Sequence, residues 1–235
     1  MIDPGQLKAL GLSLDSPQRA AFERYADLLI KWNGRINLTA ITDREAIAVR
    51  HFLDSLSCLT VLRDQPAGTR LIDVGSGAGF PGLPLAIARP DWHITVNDAT
   101  GKKVRFLQTV VDSLALTKAT ALPGRAEEIG QHRDHRESYD WALARSVAAL
   151  PILLEYLLPL VKTGGQALAM KAASAAHEIE QARRALEVLG GSVTKQEIID
   201  LPDVDEAHLL IVIEKVVPTP TDYPRRPGRP STKPH

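Results

Sequence analysis

Residues Arg70–Gly82 read R-L-I-D-V-G-S-G-A-G-F-P-G. An apolar run at Leu71, Ile72 and Val74 stops at glycines on alternate positions, Gly75, Gly77 and Gly79. This pattern predicts a strand entering a tight turn whose backbone lies open to a ligand. Glycine tolerates positive φ and has no side chain to block a close approach. Pro81 and Pro84 suit the first turn of a following helix, where a missing N–H costs little. Strand, glycine loop and helix N-terminus form one half of a nucleotide-type site. A second strand, His93–Asp98, ends in Asn97-Asp98. An acidic group about 20 residues beyond such a loop accepts hydrogen bonds from ribose hydroxyls.

The nucleotide class is the first decision. Gly77–Gly82 also satisfies the dinucleotide fingerprint G-x-G-x-x-G, a weak match by itself. Asp73 lies inside the strand, where dinucleotide-binding strands are usually apolar, and the glycines begin before that frame needs them. Both features count against a nicotinamide cofactor. The D-V-G-S-G-A-G pattern instead resembles motif I of class I S-adenosylmethionine (AdoMet) methyltransferases, and AdoMet also carries a ribose.

Three regions must position these residues. Region 1–66 reads as a helical N-terminal extension. Ser16-Pro17 predicts a helix start, followed by Phe22, Tyr25, Leu29 and Trp32 at helical spacing. Thr42–Glu45 reads as a capping box, with Ala46, Val49, Leu53 and Leu56 on the buried face of a second helix. Region 67–217 alternates strand and helix. Predicted strands follow at Thr120–Leu122, Trp141–Ala144, Gln166–Lys171, Ser192–Asp200 and His208–Lys215. A helix carries Val104, Leu107, Val111 and Leu114 on one face. Another runs through Leu160 and closes on Thr163-Gly164-Gly165 as a C-cap, and a third spans about Ser174 to Leu189. The last two strands are joined too closely for a helix, so they are expected to be antiparallel. The expected fold is α/β, a doubly wound, mostly parallel sheet with one reversed strand. Region 218–235 is a Pro-rich basic tail with Arg225, Arg226, Arg229 and Lys233. It lacks the residues to build a core and is expected to be a disordered end or a basic arm on RNA phosphates.

Composition narrows the class. Lys and Arg number 28 and so do Asp and Glu, so any basic surface must be local. The single cysteine, Cys58, excludes an internal disulfide. No signal-like N-terminus or membrane-length apolar run is present, and the expectation is a cytoplasmic protein, monomeric by default. His132-x-x-His135 lacks the companions of a metal site, and no metal is expected.

The whole chain resembles the RsmG (GidB) family of 16S ribosomal RNA guanine-N7 methyltransferases. The resemblance rests on N-L-T-A-I (37–41), H-F-L-D-S-L (51–56), V-G-S-G-A-G-F-P-G-L-P-L-A-I (74–87), D-A-T-G-K-K-V-R-F-L (98–107), R-A-E-E (125–128), A-R-S-V-A-A-L (144–150) and Y-P-R-R-P-G-R-P (223–230). It implies a seven-stranded Rossmann-like AdoMet methyltransferase sheet. It implies methyl transfer from AdoMet to N7 of a guanine in the 530 loop of the small-subunit RNA. It also implies that Gly75, Phe80, Ala126, Glu127 and Arg145 hold the cofactor, beside Gly77, Gly79 and Asp98 from the loop reading. Ala126 and Glu127 would sit near the adenine. Arg145 would bind the cofactor, a phosphate or the guanine O6 edge. His51 and Asp54, a polar pair one helical turn apart, would help shape the cofactor or RNA side. Lys102, Lys103, Arg225, Arg226 and Arg229 are the candidate RNA contacts. No general base is needed, because N7 carries no proton. An NAD(P)-dependent oxidoreductase, a non-catalytic ribosome-binding module and a methyltransferase of small molecules or proteins are the alternatives.

Overall fold

The computed structural model describes residues 2–202, 204 and 207–235. The chain opens with helices α1 (Pro4–Ala9), α2 (Ser16–Asn33) and α3 (Arg44–Ile47), a π-helical segment (Ala48–Leu53), α4 (Asp54–Ser57) and α5 (Leu59–Leu62). Then follow β1 (Arg70–Val74), α6 (Gly82–Ala88), β2 (His93–Asp98), α7 (Gly101–Ser113), β3 (Ala119–Pro123), α8 (Ala126–Gln131), β4 (Tyr139–Arg145) and α9 (Leu150–Leu157). The chain continues through β5 (Val161–Ala172), α10 (Glu178–Gln181), α11 (Arg183–Leu189), β6 (Gly191–Ile199), β7 (His208–Lys215) and α12 (Arg229–Thr232).

The strands form one sheet in the order β3-β2-β1-β4-β5-β7-β6, with β7 antiparallel to both of its neighbours. Strand alternation divides the core in two. Leu71, Trp141, Leu143, Leu168 and Met170 face the N-terminal helices, α6 and α7. Ile72, Ala142, Ala144, Ala167 and Ala169 face α9 and α11. A parallel strand buried on both faces must be apolar almost throughout, which explains the near-continuous hydrophobic runs.

Several local readings shift. The cap of α2 is Asp15, not Ser16; it accepts from Gln18 N–H at 2.8 Å, and Gln18 answers by accepting from Asp15 N–H at 2.9 Å. The cap before α3 is Asp43, not Thr42. The π-helical segment then turns the buried stripe, so Ile47, Ala48 and Phe52 join Leu53 and Leu56 inside while Ala46 and Val49 are only half-buried. Gly164 and Gly165 do not cap a helix. They lie within β5, where the pairing with β4 jumps from Tyr139↔Val161 to Trp141↔Gln166. Gly164 sits at φ +81°, and a Cβ on Gly165 would stand 2.7 Å from the Asp140 carbonyl. The helix expected over 174–189 is broken into a 3₁₀ turn, α10 and α11, and it ends at left-handed Gly190.

The tail packs on the body of the protein. Arg136 donates to the Thr219 carbonyl at 2.7 Å and the Tyr223 carbonyl at 2.5 Å, and Gln131 donates to the Pro224 carbonyl at 2.9 Å. Arg225 donates through its backbone N, Nε and Nη2 to the buried Glu155. The tail lacks an apolar core of its own, as composition requires. It is held by polar groups that the body supplies.

Candidate functional site

The sheet order reverses between β1 and β4, the place where open α/β sheets leave a crevice at their carboxyl ends. A cleft of about 600 Å³ lies there, within the ~300–1,000 Å³ usual for small-molecule sites. The glycine loop forms one wall. Gly75 and Gly77 adopt φ +68° and +62°, values that strain any other residue, and a Cβ on Gly75 would lie 2.8 Å from Val147 Cγ2. Gly79, at φ +98°, faces away from the cleft toward Leu83 and the Tyr25 hydroxyl. Its role is to let the loop pack on the helical extension. Tyr25, fully buried, donates to the Ala78 carbonyl at 2.5 Å and so anchors the loop from below.

Asp73 explains why a strand otherwise apolar carries an acid. Its carboxylate accepts from the Ser76 hydroxyl and from Gly82 N–H at 2.8 Å, closing the loop on the start of α6. Burial pushes its carboxyl up to about 6, although both hydrogen bonds pull it back. Asp98 ends β2 beside the loop. It accepts from Gly77 N–H at 3.1 Å and Thr100 N–H at 2.7 Å, with Lys103 Nζ at 3.7 Å.

Across the cleft, Arg145 at the end of β4 meets residues from the helical extension. Its Nη1 donates to Asp54 at 2.5 Å, Nη2 lies 3.3 Å from His51 Nδ1, and its guanidinium stands 5.1 Å from the Phe80 ring centre. The His51 ring stacks on Phe80 at 4.6 Å, and Thr39 Oγ1 lies 2.7 Å from His51 Nε2. Burial and then the Arg145 cation press the His51 imidazole down to about 4, so it is neutral at pH 7. Burial raises the Asp54 carboxyl, but the His208 and Arg145 contacts outweigh it and hold it below the ordinary value.

The structure therefore gathers Gly75, Gly77, Phe80, Lys103 and Arg145 around one cleft, with Asp98 behind the wall on Gly77 N–H. Ala126 and Glu127 open α8 outside the cleft wall. Asn97 Nδ2 ties β2 to the neighbouring loop through the Leu122 and Gly124 carbonyls at 3.0 and 2.9 Å. Glu127 itself accepts from tail Gly228 N–H at 3.0 Å. Lys102, Arg226 and Arg229 are exposed, whereas Arg225 is spent on Glu155.

Sequence reasoning missed Tyr25, read as a core aromatic, and His208, which nothing in one sequence distinguishes. His51 and Asp54 were visible as a polar pair one helical turn apart, and a π-helical segment is itself a frequent mark of function.

The cradle fits a nucleoside ligand. Its backbone is bare at Gly75 and Gly77, and a carboxylate stands at the next strand end. Sheet, reversed strand, glycine loop and helices on both faces define a class I AdoMet methyltransferase fold. Solved structures agree. M. jannaschii TYW2 in complex with AdoMet matches at TM-score 0.54 and 12% identity, over 69% of this chain and 77% of that one. The antibiotic-resistance methyltransferase Kmr matches at TM-score 0.51 and 19% identity, over 66% and 92%. The family model GidB, rRNA small subunit methyltransferase G, matches residues 18–204. Ribosomal RNA small subunit methyltransferase G of Alkaliphilus metalliredigens is 48% identical over 225 residues, 96% of this chain and 94% of that protein. The protein of the same name from Roseiflexus castenholzii is 49% identical over 224 residues, 95% and 94% respectively. The chain belongs to the GidB family of rRNA small subunit methyltransferases G.

Proposed function

We propose that this protein binds AdoMet in the cleft and methylates N7 of a guanine in the 530 loop of 16S ribosomal RNA. Family membership and the glycine-lined cleft carry the reading. Gly75 and Gly77 leave room for the amino-acid and ribose portions, and Asp98 is the acceptor for ribose hydroxyls. Ala126 and Glu127 would meet the adenine from the neighbouring loop, with Gly228 bracing Glu127. Bound AdoMet supplies an electrophilic sulfonium methyl.

The chain's own work is positioning. Guanine N7 has an in-plane lone pair and no proton, so no residue must remove one. Arg145 offers donors that suit the O6 edge. Orientation of the reacting atoms can contribute about 7–11 kcal/mol in favourable cases. Phe80 and Met170 give the cleft apolar surface. Lys102, Lys103, Arg226 and Arg229 would hold phosphates, a sequence-independent role.

The test is calorimetric titration with S-adenosylhomocysteine and, in parallel, NADH, followed by tritium transfer from AdoMet to 16S RNA and to small subunits. S-adenosylhomocysteine should bind, and binding should vanish in Gly75→Arg while the fold persists. Methylated RNA should carry 7-methylguanosine in the 530 loop. Binding of NADH alone, or methylation at another position, overturns the proposal.

A further inference from the structure

Asp54 is a carboxylate with 1% side-chain exposure, set in a helix turn whose neighbours Leu53 and Leu56 are core residues. Withdrawing a carboxylate from water costs several kcal/mol per ion, and fixed partners must offset it. Asp54 has two, and they come from different strands. Arg145 closes β4 and bonds to Oδ2; His208 opens β7 and bonds to Oδ1. These strands are not neighbours, because β5 runs between them. Register completes the arrangement, pairing Arg145 with Met170 and Ala172 with His208. The helical extension thus reaches over the carboxyl ends of β4 and β5 and the amino end of β7, and grips the outer two. Arg145, Met170, Ala172 and His208 all line the cleft.

Arg145 would otherwise be a long side chain with many rotamers at a strand end. Here Asp54, the Arg50 carbonyl at 3.1 Å, His51 and the Phe80 ring fix its guanidinium from four directions. Donors held in place before substrate arrives need no reorganisation at the moment of reaction. We propose that Asp54 is a positioning residue for methyl transfer: it locks the Arg145 fork in the cleft and acts through that arginine. The proposal rests on the methyltransferase reading above.

The experiment is a double-mutant cycle of Asp54→Asn and Arg145→Gln, with three readouts. Single-turnover methylation of small subunits gives the rate, calorimetry with S-adenosylhomocysteine gives cofactor-site integrity, and the ¹⁵N Nε–H resonance of Arg145 reports whether the guanidinium is fixed. Asp54→Asn should slow transfer on the order of 10- to 100-fold. It should broaden the Arg145 resonance, and S-adenosylhomocysteine should still bind. In the Arg145→Gln background the same change should cost less than about twofold, because the arginine through which it acts is gone. If Asp54→Asn fails to fold, the Asp54→Asn/Arg145→Gln pair, which buries no lone charge, is compared directly with Arg145→Gln; equal rates support the proposal and unequal rates overturn it. A wild-type rate in Asp54→Asn, an unchanged Arg145 resonance, or full additivity in the cycle overturns the positioning role while the methyltransferase reading stands. Inactivity of the wild-type protein overturns both.

Discussion

Arg225→Ala should destabilise the protein, although composition places this residue in a basic, Pro-rich tail. The Glu155 side chain is 1% exposed, and Arg225 reaches it from backbone N at 2.7 Å, Nε at 2.9 Å and Nη2 at 2.6 Å. Alanine removes the guanidinium and leaves the backbone N–H, with His235 Nε2 at 3.7 Å. Truncating one partner of a buried pair costs about 3–5 kcal/mol. The Arg225 side chain is 22% exposed and the N–H contact survives, so about 2–3 kcal/mol is expected here. In a chain of this size each kcal/mol moves Tm by about 2–4 °C, giving a fall of about 4–12 °C. Scanning calorimetry at pH 7 measures it, with Arg226→Ala as the control. Arg226 is exposed, and its Tm should stay within about 1 °C of wild type. Replacing the pair by Arg225→Ala/Glu155→Leu should recover most of the loss, because apolar residues in place of a buried pair are often neutral or better. Filter binding to 16S RNA should show the reverse order. Arg226→Ala and Arg229→Ala should each lower the salt slope by about one, and Arg225→Ala should not. Equal Tm shifts for Arg225→Ala and Arg226→Ala, or no recovery in the double variant, would refute the assignment of Arg225 to structure.

The Asp73 carboxyl is raised from 3.8 to about 6, so the folded state binds more protons than the unfolded state between those values. Stability from this group is therefore present at low pH and is lost as pH rises through about 4 to 6, by up to about 3 kcal/mol. Urea unfolding should show Asp73→Asn gaining on wild type across that window; a difference independent of pH contradicts the reasoning. Tyr25→Phe strips the Ala78 carbonyl of a buried donor and should cost about 1–3 kcal/mol. S-adenosylhomocysteine affinity should fall as well, because the loop loses its anchor. Wild-type Tm and affinity in that variant would remove the anchoring role.

The fold was legible where one physical rule dominates. The glycines after Val74 announce a strand–loop–helix unit, because their left-handed backbone angles strain other residues. The short link before His208 announces an antiparallel pair. Local rules misled where tertiary context outweighs them. Ser16 is a fair cap, but Asp15 precedes it and Gln18 completes the box. Gly164-Gly165 has the composition of a helix stop, yet β5 has already begun and bulges there. The tail's lack of apolar residues predicts no core, and none exists. It could not show that Glu155, Gln131 and Arg136 wait on the body to hold it. Within the site, the loop and Asp98 follow from spacing, and the resemblance added Phe80 and Arg145. The Asp54–Arg145–His208 contacts stayed hidden because nothing local links a helix residue to two distant strand ends.

Those contacts also bear on how the chain reaches its native state. Asp54 lies 91 residues from Arg145 and 154 from His208. Closing such loops costs entropy before any contact rewards it, and proteins dominated by distant pairings fold slowly. Helices form from local contacts, whereas this junction needs the extension, β4 and β7 assembled together. In a refolding experiment, helical circular dichroism should therefore recover before S-adenosylhomocysteine binding does. Competence for ligand is then a late event in folding, and it marks the completed chain better than secondary structure can.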